Sequence, residues 1–189
     1  MHVCFQTAIK ALTISLAIML SACSVQQSTE GSGNNAAMPA TLPADAKFAL
    51  LPLLNVSQTP MASERVETIL ASLLHSKGVE SLSVYPAQLS ASVMTILDEG
   101  GRYSTALKWA MKEDFDYLIT GSVEEWRYKA GLDGEPAIGI TLKILDAKGQ
   151  KVLWTATGAR SGWGREAASM TAHEVLSDLL DSLELDATH

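Results

Sequence analysis

From Phe48 onward the apolar positions fall into two rhythms whose order predicts a fold. Phe48-Ala49-Leu50-Leu51-Pro52-Leu53-Leu54-Asn55-Val56 is apolar almost throughout, as in a strand buried on both faces. Pro52 cannot donate to a ladder, which places this strand at an edge or a bulge. Thr59-Pro60 supplies an N-cap and a first helical position. Val66, Ile69, Leu70, Leu73 and Leu74 then recur at helical spacing until Gly78 ends the run. A short strand passes through Leu82, Val84 and Pro86. Ala87 to Leu97 has no clear period and admits a helix ended by Gly100-Gly101, and Tyr103, Leu107, Ala110 and Met111 mark a helix before Asp114.

The second half alternates with period two. Tyr117 to Lys129 reads as a strand with Ile119, Gly121 and Val123 on one face. After Glu124-Glu125 the apolar phase moves to Trp126 and Tyr128, and a one-residue slip in a period-two pattern predicts a bulge. Asp133-Gly134 turns the chain; Ile138, Ile140, Leu142 and Ile144 alternate with Gly139, Thr141 and Lys143. Asp146-Ala147-Lys148-Gly149 makes a second hairpin turn into a last strand, Lys151 to Gly158. Val175, Leu176, Leu179, Leu180 and Leu183 stripe a closing helix. The order β-α-β-α-β-β-β-α predicts an α/β (α+β) domain, a mixed sheet of about five strands packed with three helices.

The N-terminus follows another logic. Lys10 precedes the apolar run Ala11 to Leu20, too short for a bilayer span of about 20 residues and right for a signal-peptide core. It ends in Leu20-Ser21-Ala22-Cys23, the pattern of a lipobox: small side chains let a peptidase reach the backbone, and the thiol accepts the lipid. Residues 1–22 are therefore read as a lipoprotein signal peptide. Residues 23–45 are read as the lipidated Cys23 and a flexible tether, since Ser24 to Ala44 holds too little apolar surface to offset its ordering entropy. Residues 46–189 form one periplasmic domain. Ser24 after the cysteine fits sorting to the outer membrane. Once Cys4 leaves and Cys23 is acylated, no thiol is left to pair.

Charge narrows the partners. The chain carries −7, and loss of Lys10 with the signal leaves 13 basic against 21 acidic residues, or −8. That balance disfavours nucleic acid and direct adhesion to anionic lipid; it suits a cationic partner or simple solubility. Catalytic patterns are missing: His173-Glu174 has Ser177 where a zinc helix needs histidine, and Gly158-Ala159-Arg160-Ser161-Gly162 carries its serine one place late for a nucleophile elbow. No phosphate loop or calcium loop appears. The sequence therefore reads as non-enzymatic, with no metal and no cofactor.

Two stretches carry a resemblance. Gly121-Ser122-Val123-Glu124-Glu125-Trp126-Arg127-Tyr128-Lys129, continuing to Asp133-Gly134-Glu135-Pro136, is one; Val152-Leu153-Trp154 leading into Gly158-Ala159-Arg160-Ser161-Gly162-Trp163 is the other. With the lipobox, they resemble the PelC family, outer-membrane lipoproteins of Pel exopolysaccharide export. The resemblance covers the signal and most of Tyr117 to Leu185. It implies a homo-oligomeric, lipid-anchored ring on the periplasmic face of the outer membrane, which guides a cationic amino-sugar polymer to an outer-membrane porin without catalysis. A tethered adaptor or activator of a cell-wall synthase is the alternative. In the matching Ser-Gly-Trp segment the family carries a membrane-facing tryptophan, which makes Trp163 the membrane-contact candidate, against core packing of a loop aromatic. Asp133, Glu135, Glu124 and Glu125 are the candidates for guiding the polymer, the turn pair ranking first because loops carry function. Trp126 and Tyr128 are read as sheet packing or subunit contact, Trp154 and Trp109 as core.

Overall fold

Alternation over the C-terminal half makes three long antiparallel strands, and everything else is arranged around them. The computed structural model describes residues 35–37, 40–86, 99–131 and 133–186. In chain order the elements are β1 (Asn35–Ala37), β2 (Ala40–Pro43), β3 (Lys47–Leu50), β4 (Leu54–Asn55), α1 (Ala62–Ser76), β5 (Ser81–Val84) and α2 (Glu99–Ala110). Then come β6 (Tyr117–Tyr128), β7 (Pro136–Asp146), β8 (Val152–Ser161), α3 (Ala168–Leu180) and β9 (Leu183–Asp186). The main sheet runs β1-β8-β7-β6-β3-β5, with β4 beside β6 past the end of β3; β2 and β9 form a separate parallel pair. β3 lies parallel to β5 and β6, while β6, β7 and β8 are antiparallel, giving the mixed sheet that the order predicts.

Successive strand residues point to opposite faces, and the two cores divide accordingly. Phe48, Leu50, Ile119, Ile140, Leu142 and Trp154 pack under α1 and α3 with Leu70, Leu74, Val175 and Leu176. Ala49, Leu51, Leu118 and Leu145 turn the other way, onto Ala106 and Ala110 of α2. Gly121 is dictated by its position: a Cβ there would sit 2.0 Å from the Thr141 carbonyl oxygen.

The expected bulge is present, with a register shift between Val123 and Glu125 opposite Ile140 and Gly139. Val123 and Trp126 are both buried, so the extra residue is absorbed on the outer side. Pro52 lies in the break between β3 and β4, where Leu51 and Val56 still donate to the Ile119 and Val123 carbonyls of β6.

Several boundaries differ from the sequence reading. Helix α1 starts at Ala62, not at Pro60; its N-cap position is Met61 in the left-handed region, φ 58°. The Thr59 hydroxyl is used elsewhere, donating to the Trp126 carbonyl across the sheet. Gly100-Gly101 lies inside α2 rather than ending a helix, and residues 87–98 lie outside the described residues. Leu183 belongs to β9, where its side chain is still buried. Strands β1 and β2 fall within the stretch read as tether, because Leu42 buries itself in the core and β2 pairs along β9.

One feature that holds α2 in place has no periodic signature. Arg102 is 7% exposed and donates to Glu64 at 2.8 Å and to Glu67 at 3.0 Å, both on α1. Glu67 also accepts the Leu53 N–H at 2.9 Å, satisfying backbone that the β3–β4 break leaves without a strand partner. Burial pushes the Glu67 carboxyl up to about 7, against the opposing pull of Arg102 and of that N–H.

Candidate functional site

The loop joining β8 to α3 holds its backbone inward and its tryptophan outward. Ser161 ends the pairing of β8 with β7, and Gly162 donates to the Pro136 carbonyl at 2.9 Å. A Cβ at Gly162 would lie 2.5 Å from the Thr171 hydroxyl and 2.7 Å from Pro136 Cγ; one at Gly164 would lie 2.7 Å from Asp133 Cβ. Both glycines are therefore points of close packing, and Trp163 between them is the position left to face outward.

A carboxylate fixes that geometry. Glu166 accepts the Trp163 N–H at 2.8 Å with one oxygen and the Thr171 hydroxyl at 3.0 Å with the other, while its own N–H donates to the Trp163 carbonyl at 3.0 Å. Arg165 takes a left-handed backbone, φ 67°, and donates its N–H to the Asp133 carbonyl at 3.0 Å. The loop is thus tied to the β6–β7 turn on one side and to α3 on the other. Trp163 is 81% exposed, the most exposed of the large apolar side chains among the described residues. Core packing, the alternative reading of this residue, is not what the structure has. Met170 in the first turn of α3 and Tyr128 at the end of β6 are exposed at the same end, and the Tyr128 hydroxyl accepts the Ala168 N–H at 3.1 Å.

The four acidic candidates form two pairs rather than one cluster. Glu124 and Glu125 sit in the bulge of β6, and both Cβ atoms would be in ordinary contact, at 3.6 and 3.5 Å, with a Cβ placed on Gly139. Glu124 accepts from Ser122, and Glu125 pairs with Arg127 at 2.6 Å. Asp133 and Glu135 lie in the β6–β7 turn, where Glu135 pairs with Lys129 at 3.4 Å. Half of the acidic charge is therefore matched locally by a cation. Arg160 likewise pairs within the chain, with Glu174 at 3.2 Å. Trp126 and Trp154 are core, whereas Trp109 is half-buried against Tyr85 and Phe115. Cys23 lies outside the described residues.

Glu166 escaped the sequence reading, although a glutamate three residues after the residue whose N–H it accepts has the spacing of a capping box. Among the described residues no group of three or more His, Cys, Asp or Glu side chains could hold a metal ion, and no helix is long and apolar enough to cross a membrane.

No family model and no curated relative matches the chain. Solved structures do. A PelC dodecamer from Paraburkholderia phytofirmans, a single-residue variant, is 30% identical, with a TM-score of 0.70 over 82% of this chain and 100% of that one. The PelC dodecamer from the same organism in a second crystal form is 31% identical, with a TM-score of 0.67 over 80% and 96%. A lipoprotein of Neisseria meningitidis, GNA1162, is similar in fold alone, at 17% identity and a TM-score of 0.52 over 72% and 96%.

Proposed function

Because the chain belongs to the PelC family, we propose that it is a non-catalytic, lipid-anchored component of Pel-type exopolysaccharide export. In this reading it assembles into an acidic homo-oligomeric ring on the periplasmic face of the outer membrane and guides a cationic amino-sugar polymer to the porin of the system. The observation that carries the reading is the match, 30% identical, to the full length of a chain that forms a dodecamer.

The braced, outward Trp163 supports one membrane-facing end. An amphipathic ring with a polar N–H favours the bilayer interface, and Gly162, Gly164 and Glu166 hold it out without a folding cost to be met on contact. The direction of the chain agrees. β1 runs antiparallel to β8, with Asn35 opposite Thr157 and Ala37 opposite Thr155, so the N-terminal end of β1 lies toward the end of β8 that leads to Trp163. The stretch from Cys23 to Asn35 can extend at most about 40 Å. The remaining part of β8 beyond Thr157 measures about 14 Å. Lipid on Cys23 and the Trp163 ring can therefore meet the same bilayer.

Guidance of the polymer rests on repetition. A net −8 on one mature chain is modest and is screened within about 8 Å at physiological salt. Repeated around one opening between low-dielectric walls, the same charge is focused. The mature lipoprotein in detergent should therefore bind partly deacetylated amino-sugar oligomers, and the binding should weaken as salt rises. Fully acetylated, neutral oligomers should bind far less. Binding that persists unchanged at high salt, or that favours the neutral sugar, would leave the acidic surface as a device for solubility.

A further inference from the structure

From Phe48 to Ser63 the chain carries no charged residue, although 19% of its residues are charged, with Lys47 and Glu64 at the ends of the gap. Part of that stretch is core. The rest is on the surface, where Leu54, Val56 and Met61 are 46%, 56% and 60% exposed. These three lie on β4 and the loop into α1, alongside the half of β6 that runs from Ser122 to Trp126.

This surface is rigid. Val56 and Ser57 both donate to the Val123 carbonyl, at 2.9 and 3.1 Å. The Asn55 side-chain amide donates to the Thr59 carbonyl at 2.9 Å, the Ser57 hydroxyl donates to Asn55 Oδ1 at 2.6 Å, and Thr59 is fastened to the Trp126 carbonyl. Met61 holds a left-handed backbone, uncommon for a residue with a long side chain, and it presents that side chain to solvent. Proteins blunt exposed edges with charges, above all lysine, and β4 with the loop after it carries none. The neighbouring charges stand on β6, where Glu124 accepts a hydrogen bond from Ser122, the residue opposite Leu54. An apolar centre bordered by charged side chains is the composition of an interface.

The place of the surface selects its occupant. If the Trp163 end faces the bilayer, the strands stand away from it and subunits of a ring in the membrane plane meet through the flanks of the sheet. On one flank β1 covers β8; the other, in the half nearer Trp163, is β4 and the 56–61 loop. We propose that Leu54, Val56 and Met61 form the surface on which a second copy of this chain docks. The contact is heterologous, because a closed ring joins each such surface to a different one on its neighbour. This inference rests on the ring reading above.

Native mass measurement of the mature lipoprotein in detergent tests it. The double variant Leu54→Asp with Val56→Asp should lose the oligomer and appear as monomer, with an unchanged unfolding midpoint. Met170→Asp, an equally exposed apolar site at the membrane-facing end, should keep the oligomer. Should the double variant fold poorly, a photo-crosslinking amino acid in place of Val56 decides alone. It should give covalent oligomer ladders in wild-type background, with the captured peptide outside residues 54–61. A double variant that folds and retains the oligomer, or crosslinks confined to one chain, overturns the docking surface while the ring stands. A wild-type protein that is monomeric before any substitution overturns the ring itself, and the docking surface with it.

Discussion

Trp163 shows how much a single residue depends on its neighbours for its role. A tryptophan at 81% exposure has little burial to lose, so Trp163→Ala should change stability by less than about 1 kcal/mol, as at other surface sites. A buried tryptophan would cost about 3–5 kcal/mol. Denaturant unfolding gives that figure, and flotation of the variant with outer-membrane-like vesicles should show weaker association at the same time. A large loss of stability, or unchanged flotation, would remove Trp163 from the membrane. Gly162 and Gly164 leave Trp163 few local neighbours to bury it, which favours an outward ring and still admits core packing by distant residues. The brace was not legible: Asp133 and Pro136 come from the preceding hairpin turn, some thirty residues away in sequence, and no local rule brings them to the glycines. Glu124 and Glu125 lay between. Their bulge was readable from the phase of Val123 and Trp126, whereas the pairing of Glu125 with Arg127 has no signature in that phase.

At the scale of elements, the strands and helices with a strong period were readable and the irregular joints were not. β6, β7, β8, α1 and α3 follow their apolar spacing because each faces a core that rewards it. The start of α1 departs, since Thr59 serves the sheet instead of the helix. The tie between α1 and α2 is a joint of the second kind, carried by Arg102, Glu64 and Glu67. It makes a definite pH signature. Glu67 titrates near 7 in the fold and near 4.3 in an unfolded chain. The folded state therefore takes up a proton as pH falls through 7, before the unfolded state does. This group's penalty on the fold is full above 7, shrinks as pH falls, and is gone below the unfolded value. Over that window wild type should gain on the order of 3 kcal/mol relative to Glu67→Gln. Urea unfolding of both proteins at about pH 5 and about pH 8 measures it, and a difference independent of pH would contradict a buried, proton-accepting Glu67.

For the whole molecule, exposed apolar surface and charge are unevenly placed. One end carries Trp163; one flank exposes Leu54, Val56 and Met61 on a segment without charge between Lys47 and Glu64; acidic residues are spread along the chain, Asp133 and Glu166 among them at the Trp163 loop. The proposed roles all require more than one copy, since a net −8 is a weak field on a single domain and the proposed docking flank takes a neighbour. Assembly is their common requirement, and the mass of the native particle reads it out. The mature, lipidated protein extracted in detergent should appear in native mass measurement as a closed oligomer, twelve copies as in the Paraburkholderia dodecamers. A particle that stays monomeric at every concentration measured would contradict it.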